Sequence, residues 1–252
     1  MTVPGPLRQL GRIVALVLIS LLALQLFFVA RIAVMAVIDP QSTTFQRSEA
    51  WRLLSEHGRI EWSQQWVANE RIAATLKRAV IASEDAAFTE HGGVDWDAIE
   101  RAWERNQRAE ARAEQRNSAS NNSRRPRVEP KVVGGSTITQ QLAKNLFLSS
   151  ERTPLRKGQE FVLTFALEAC LSKRRILEIY LNNVEWGEGL FGAQAAARHY
   201  YRVDAAQLGA TPAARLAVML PAPKRFEKRP GSPYVAGRAA TVVARMGAVE
   251  LP

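Results

Sequence analysis

Residues 71–93 read RIAATLKRAVIASEDAAFTEHGG, and the spacing of their apolar members decides what kind of chain this is. Ile72, Leu76, Ala79 and Val80 recur at helical steps, which predicts a helix with one face in a core. If that helix continues, the next positions on the stripe are Glu84, Phe88 and His91. A carboxylate on an apolar face is desolvated, which raises its pKa and suits it to proton transfer near neutral pH. The plainer alternative ends the helix at Ser83 and lets Glu84 and Asp85 cap the next turn.

Outward from this stretch the helical period recurs and period-2 alternation is nearly absent, so the extramembrane part is expected to be mainly α, in one domain. GGSTITQQLAKNLFL, residues 134–148, fits a capping box at Thr137 and Gln140, with Ile138, Leu142 and Leu146 on one face. Thr153-Pro154 starts a second helix and Ser172 a third, through KRRILEIYLNN. After Gly187, Gly189 and Gly192 come further short helices, two of them opened by Thr211-Pro212 and Ser232-Pro233. Residues 95–116 look helical over Trp96, Ile99 and Trp103 and then become a polar Arg/Glu run. Residues 117–131, NSASNNSRRPRVEPK, have no period and read as a mobile basic loop.

With 47% hydrophobic residues in 252, the chain can bury a good core and is not wholly disordered. The net charge of +10 suits nucleic acid, an anionic membrane face or a phosphate-bearing substrate, and charge alone does not choose. Cys170 is the single cysteine, which excludes an intramolecular disulfide and a thiolate metal cluster. His57, His91 and His199 show no ligand spacing, so a protein-held zinc is not expected. From Ile13 to Ala30 the chain reads IVALVLISLLALQLFFVA and stays apolar past Arg31 to Ile38. A bilayer core needs roughly 20 such residues, so residues 13–38 are expected to be a retained transmembrane anchor rather than a cleaved signal peptide. Arg8 and Arg12 put the tail, residues 1–12, in the cytoplasm, although Arg31 beyond the span weakens the asymmetry.

Two more stretches bear on chemistry. GGSTITQQLAKN brings free amides of a helix N-terminus together with Gln141 and Lys144, which is either an anion site or an ordinary well-capped amphipathic helix. RKGQE places Arg156 and Glu160 at i, i+4 with Lys157 beside them. That is either a solvated pair worth about 0.3–0.5 kcal/mol or a second carboxylate held by cations across a cleft from the first. Two carboxylates plus fixed cations are the parts needed to move a sugar from a phosphate leaving group. Asn182, Asn183 and the glycine cluster either shape the cleft floor or only connect helices.

Together these residues resemble the peptidoglycan glycosyltransferase family, the domain shared by class A penicillin-binding proteins and monofunctional biosynthetic transglycosylases. Glu84, Asp85, Phe88, His91 and Gly93 meet its first motif, E-D-x-x-F-x-x-H-x-G, and Gly134 to Asn145 its second, G-x-S-T-I-T-Q-Q-L-x-K-N. Arg156, Lys157 and Glu160 meet R-K-x-x-E. Ile176 to Asn182 with Gly187, Gly189, Gly192 and Ala195-Ala196 meet the fourth motif, and Leu216 to Phe226 is also similar to the family.

The resemblance implies a lysozyme-like, two-lobed glycosyltransferase domain over residues 45–252, and the basic, unpatterned stretch around 106–131 departs from the family as an expected mobile insertion. It implies polymerisation of lipid II into β-1,4 glycan strands with inversion and release of undecaprenyl diphosphate. Glu84 would be the general base and Glu160 would assist. Ser136, Thr137, Gln141, Lys144, Asn145, Arg156 and Lys157 would hold substrate and diphosphate, while Asp85, Phe88, His91, Gly93, Asn182, Gly187 and Gly189 support them. A divalent cation, Mg or Mn, could bridge the diphosphate, with Asp85 near enough in sequence to contribute, and nothing demands a protein-held metal. The expected partners are lipid II, the growing lipid-linked strand, the membrane, and cell-wall synthesis or division proteins, with no nucleic acid. The expected location is the inner membrane of a Gram-negative bacterium, with the catalytic domain in the periplasm. The strings S-x-x-K and K-T-G do not occur, so no transpeptidase activity is expected. A glycan-cleaving enzyme of lysozyme-like fold and a noncatalytic scaffold remain the competing readings.

Overall fold

The computed structural model describes residues 6–119, 129, 134–149, 151 and 153–252. In chain order the elements are α1 (Pro6–Val34), α2 (Thr44–His57), β1 (Ser63–Gln64), α3 (Ala74–Glu84), α4 (Trp96–Ala119), α5 (Ile138–Phe147), α6 (Pro154–Cys170) and α7 (Lys173–Asn183). There follow β2 (Glu185–Gly187), β3 (Leu190–Phe191), α8 (Ala193–Tyr201), α9 (Ala210–Met219), α10 (Pro223–Phe226) and α11 (Pro233–Met246). The architecture is mainly helical, as expected.

Helix α7 is the centre of the domain because all of its apolar residues, Ile176, Leu177, Ile179, Tyr180 and Leu181, are buried. Helices α5, α6 and α8 pack against it, while α3, α9 and α11 pack on one another. The small sheet has order β1-β3-β2, with β3 parallel to β1 and antiparallel to β2. Gly189 in the β2–β3 turn has φ +66°, and a Cβ there would lie 2.1 Å from the Glu61 carbonyl oxygen. Only glycine lets the β1 segment come this close.

Helix α1 is long and apolar enough to cross a membrane over Leu7–Val34, with a mean hydropathy of 2.8 in its most apolar 18 residues. Its C-terminal third docks on the domain. Gln25 and Gln159 exchange two side-chain hydrogen bonds of 3.0 Å. Phe28 meets Phe147 edge-on at 5.4 Å, the Arg31 guanidinium lies 5.3 Å from the Phe147 ring centre, and Ile32 and Met35 are buried.

The expected helix starts at Thr137, Thr153-Pro154, Ser172 and Ser232-Pro233 are all present, each side chain capping its helix. Four readings need correction. Thr211-Pro212 does not open α9; Gly209 caps it and Pro212 sits inside its first turn, where a missing N–H costs nothing. Helix α3 ends at Glu84, so Glu84 extends the apolar stripe, whereas Phe88 and His91 belong to the turns beyond. Helix α4 runs on to Ala119, so residues 106–119 of the expected mobile insertion are helical; residues 120–128 and 130–133 lie outside the described residues. The buried face of α4 includes Ala102 and Ala113, while Trp96 and Trp103, whose spacing marks an apolar stripe in the sequence, are 63% and 65% exposed.

Candidate active site

Asp85 ends α3 by turning its backbone to φ −161°, ψ 73°, and its side chain then ties the first two motifs together. Its Oδ2 accepts the N–H of Ile138, the first residue of α5, at 3.0 Å. A carboxylate there offsets the positive end of the helix dipole and satisfies an orphan donor. Its Oδ1 faces His91 Nε2 at 2.8 Å, while His91 Nδ1 accepts the Gly93 N–H at 3.1 Å. With Nδ1 occupied as acceptor, the ring proton sits on Nε2 and is donated to Asp85. The Thr137 hydroxyl donates to the Gly93 carbonyl at 2.6 Å and accepts the Gln140 N–H at 3.1 Å. Gly93 has φ +92°, and a Cβ there would meet Thr164 Cγ2 at 2.7 Å and Glu168 Cγ at 2.8 Å.

This clamp fixes α5 beside Glu84. Gln141 Nε2 donates to Glu84 Oε2 at 3.0 Å, and Gln141 Oε1 accepts from the fully buried Tyr180 hydroxyl at 2.9 Å. Tyr180 therefore decides which end of the amide faces the carboxylate. Burial raises the Glu84 pKa; hydrogen bonds from Gln141 and Ser83 offset part of this, and the neighbouring Asp85 charge adds to it. Burial, then the charges of Glu84 and Asp85, push the Tyr180 phenol well above its ordinary value, which keeps it a donor.

Gln141 also lines a cavity of ≈ 380 Å³ with Lys144 and Asn145 of α5, Arg156 of α6 and Glu185 of β2. Its apolar wall includes Phe45, Val184 and Leu220. Behind it Glu160, 3% exposed, receives Arg156 Nη1 at 2.8 Å and Lys157 Nζ on its other oxygen. The pair is thus buried rather than solvated. The arrangement sets one desolvated carboxylate, with a single side-chain amide on it, next to a cavity with cationic walls.

Comparison with known proteins shows the family. The transglycosylase family model matches residues 52–247. The chain belongs to the transglycosylase family. It is 48% identical over 250 residues to a "Biosynthetic peptidoglycan transglycosylase" of Paraburkholderia phytofirmans, covering 99% of this chain and 96% of that one. Proteins of the same name from Burkholderia orbicola and Burkholderia pseudomallei are 51% and 52% identical over 231 residues, 92% of this chain and 86% and 83% of theirs.

Within this family member the residues singled out from the sequence divide. Glu84, Gln141, Lys144, Asn145 and Arg156 come together at or beside one cavity. Ser136 and Lys157 line a separate one of ≈ 280 Å³ with Trp103 and Phe161. Thr137 is buried, its hydroxyl spent on Gly93 and Gln140, and it does not line the larger cavity. Asn182 is buried too: its Nδ2 donates to the carbonyls of Val67 and Glu178, and its Oδ1 accepts the Val67 N–H at 2.9 Å. It pins the segment after β1 to α7 rather than forming a cleft floor. Phe88 is fully buried, with Lys173 Nζ 4.5 Å from its ring centre. Gly187 is crowded, since a Cβ would lie 2.5 Å from Glu227 Oε2.

Sequence reasoning passed over Tyr180 and Glu185. Tyr180 stands in a recognised motif, and a tyrosine on the same helix face as Ile176 and Leu177 signals a hydroxyl with a buried partner. Glu185, next to the fourth motif in a buried strand, carried no periodic signal.

Proposed function

We propose that this glycosyltransferase of peptidoglycan synthesis polymerises lipid II, with Glu84 as the general base. Ionised Glu84 takes the proton from the acceptor sugar 4-hydroxyl as its oxygen attacks the anomeric carbon of the lipid-linked strand. The bond from that carbon to the diphosphate breaks, the lipid diphosphate leaves with the electron pair, and an α-linked donor becomes a β-1,4 linkage by inversion. Lys144 and Arg156 receive the charge of the departing oxygens. Glu160 keeps Arg156 and Lys157 in place.

One observation carries the reading: Gln141 touches the desolvated Glu84 and lines the cavity that holds Lys144 and Arg156. Arg156 Nε, buried and without a hydrogen-bond partner among the described residues, is a donor suited to an anion. Among the described residues no three His, Cys, Asp or Glu side chains come together to hold a divalent cation, and the two oxygens of Asp85 are engaged by the Ile138 N–H and His91.

Helix α1 would anchor the domain in the inner membrane, tail in the cytoplasm and catalytic domain in the periplasm. Arg31, which weakened the charge asymmetry, is engaged with the Phe27 and Phe147 rings, and this supports Arg8 and Arg12 as the orienting charges. Exposed Leu155, Val162 and Phe165 on α6, the helix that α1 packs against, suit a domain seated on the lipid surface.

The test is to incubate detergent-purified full-length protein with labelled lipid II and separate the products on a gel, alongside Glu84→Gln. Polymer from the wild type and none from the variant is the expected result. Cleavage of preformed glycan without polymerisation would overturn it in favour of a hydrolase.

A further inference from the structure

Of the two carboxylates on the wall of the ≈ 380 Å³ cavity, Glu151 is exposed and Glu185 is 6% exposed. Glu185 Oε1 has no hydrogen-bond partner among the described residues. Its paired cation, Lys224 Nζ, stands off at 3.6 Å and is itself in contact with Glu49, which Arg52 also holds at 2.5 Å. Burial is the largest influence on Glu185; Lys224 offsets part of it, Glu49 and Glu227 add like charge, and the carboxyl titrates at about 7 instead of 4.5. Lys144 and Arg156 share the cavity from α5 and α6.

A buried carboxyl short of donors is unfavourable unless a ligand supplies one. A diphosphate held by Lys144 and Arg156 would be repelled by Glu185, so another part of the substrate must face it. An acetamido sugar fits: its amide N–H is a neutral donor, and its acetyl methyl suits the apolar wall of Phe45, Val184, Leu220 and Pro221. The terminal carboxyl torsion is soft, so either oxygen can turn to the cavity without a rotamer change.

We propose that Glu185 is a substrate-contacting residue, whose carboxylate accepts a hydrogen bond from an acetamido N–H of the lipid-linked sugar and so orients it above the diphosphate site. This rests on the glycosyltransferase reading above.

The test uses full-length protein in detergent with lipid II and two analogues, each with the acetamido N–H of one sugar replaced by an ester oxygen. Wild-type turnover of unmodified lipid II is measured first; its absence would sink the glycosyltransferase reading, and this proposal with it. Given turnover, one analogue should raise the wild-type KM about tenfold or more with kcat little changed, and which analogue does so identifies the sugar. Glu185→Ala should raise the KM for lipid II by the same factor and no longer distinguish that analogue from lipid II. Glu185→Gln keeps an acceptor but loses the titration, so its KM should stay flat where the wild-type KM climbs as pH falls through about 7. Any acid limb in kcat from Glu84 should remain in both. Undiminished discrimination by Glu185→Ala, or a Glu185→Gln profile that still follows the wild type, would overturn the proposal. The second measurement decides alone where the alanine variant does not fold.

Discussion

Removing one oxygen atom should show that Gln141 is aimed by Tyr180. In Tyr180→Phe the ring stays buried, but Gln141 Oε1 loses the 2.9 Å donor that holds it away from Glu84. The amide can then present either end, and the 3.0 Å donation to Glu84 Oε2 is no longer enforced. A hydrogen bond to an ionised group is worth about 1.5–3 kcal/mol. At about 1.36 kcal/mol per tenfold, its full loss makes ionised Glu84 rarer by roughly 10- to 150-fold at a pH well below its pKa. The sign follows from the role. A general base works ionised, Gln141 favours that form, and without it the rising limb of kcat moves to higher pH while the plateau beyond it recovers. The assay is initial-rate polymerisation of lipid II across pH, with thermal melts to confirm folding. A limb unmoved from wild type in a folded Tyr180→Phe protein would refute the argument, because Glu84 would then not depend on the orientation of Gln141.

Gly93→Ala must accommodate both a φ of +92° and contacts of 2.7 and 2.8 Å with Thr164 and Glu168. Denaturant unfolding should show a loss of about 2–4 kcal/mol, partly recovered when Thr164→Ala removes the nearer methyl. Gln25→Leu and Gln159→Leu should each weaken the docking of the anchor, with a double-mutant coupling of about 0.6–1.7 kcal/mol for the reciprocal amide pair; additive losses would mean the pair does not couple. Glu185 has a folded pKa of about 7 against 4.5 unfolded, so its stability contribution is fully present below 4.5 and is lost as pH rises to about 7. Glu185→Gln should therefore be the more stable protein at pH 8, by at most about 3 kcal/mol, with the gain fading toward pH 4.5; melts at the two pH values check this.

What was legible in the sequence was local. Thr137 with Gln140, Thr153-Pro154, Ser172 and Ser232-Pro233 each start a helix because the cap needs only residues within one turn. Arg156, Lys157 and Glu160 meet because helical spacing makes them neighbours. What was not legible depends on distant partners. The Thr137 hydroxyl goes to Gly93, 44 positions away, and Asn182 to Val67, 115 away. The apolar stripe of α4 stops near Trp103 in the sequence because the inner face of the helix is built from alanines such as Ala102 and Ala113, which a search for large apolar residues passes over, and because its tryptophans face outward. Thr211-Pro212 misled because proline is tolerated throughout a first turn, so it locates a helix start only to within that turn.

The acids around the site differ in how many donors each has been given, and that ordering separates their tasks. Glu160 is buried with a guanidinium on one oxygen and an ammonium on the other, so its lone pairs are committed to holding cations. Asp85 is committed to the Ile138 N–H and to His91, which suits a structural brace between two motifs. Glu84 has one side-chain amide, from a residue that also lines the cavity, and the neighbouring Ser83, while Glu185 has a lysine at arm's length that it shares with Glu49. Glu84 and Glu185 both have pKa values displaced upward, chiefly by burial. A fold selected for stability alone would pair or replace them, since an under-satisfied buried carboxyl is unfavourable. Their presence beside a cavity with cationic walls is what the proposed roles require, in which the hydroxyl and amide protons of a sugar supply the missing partners.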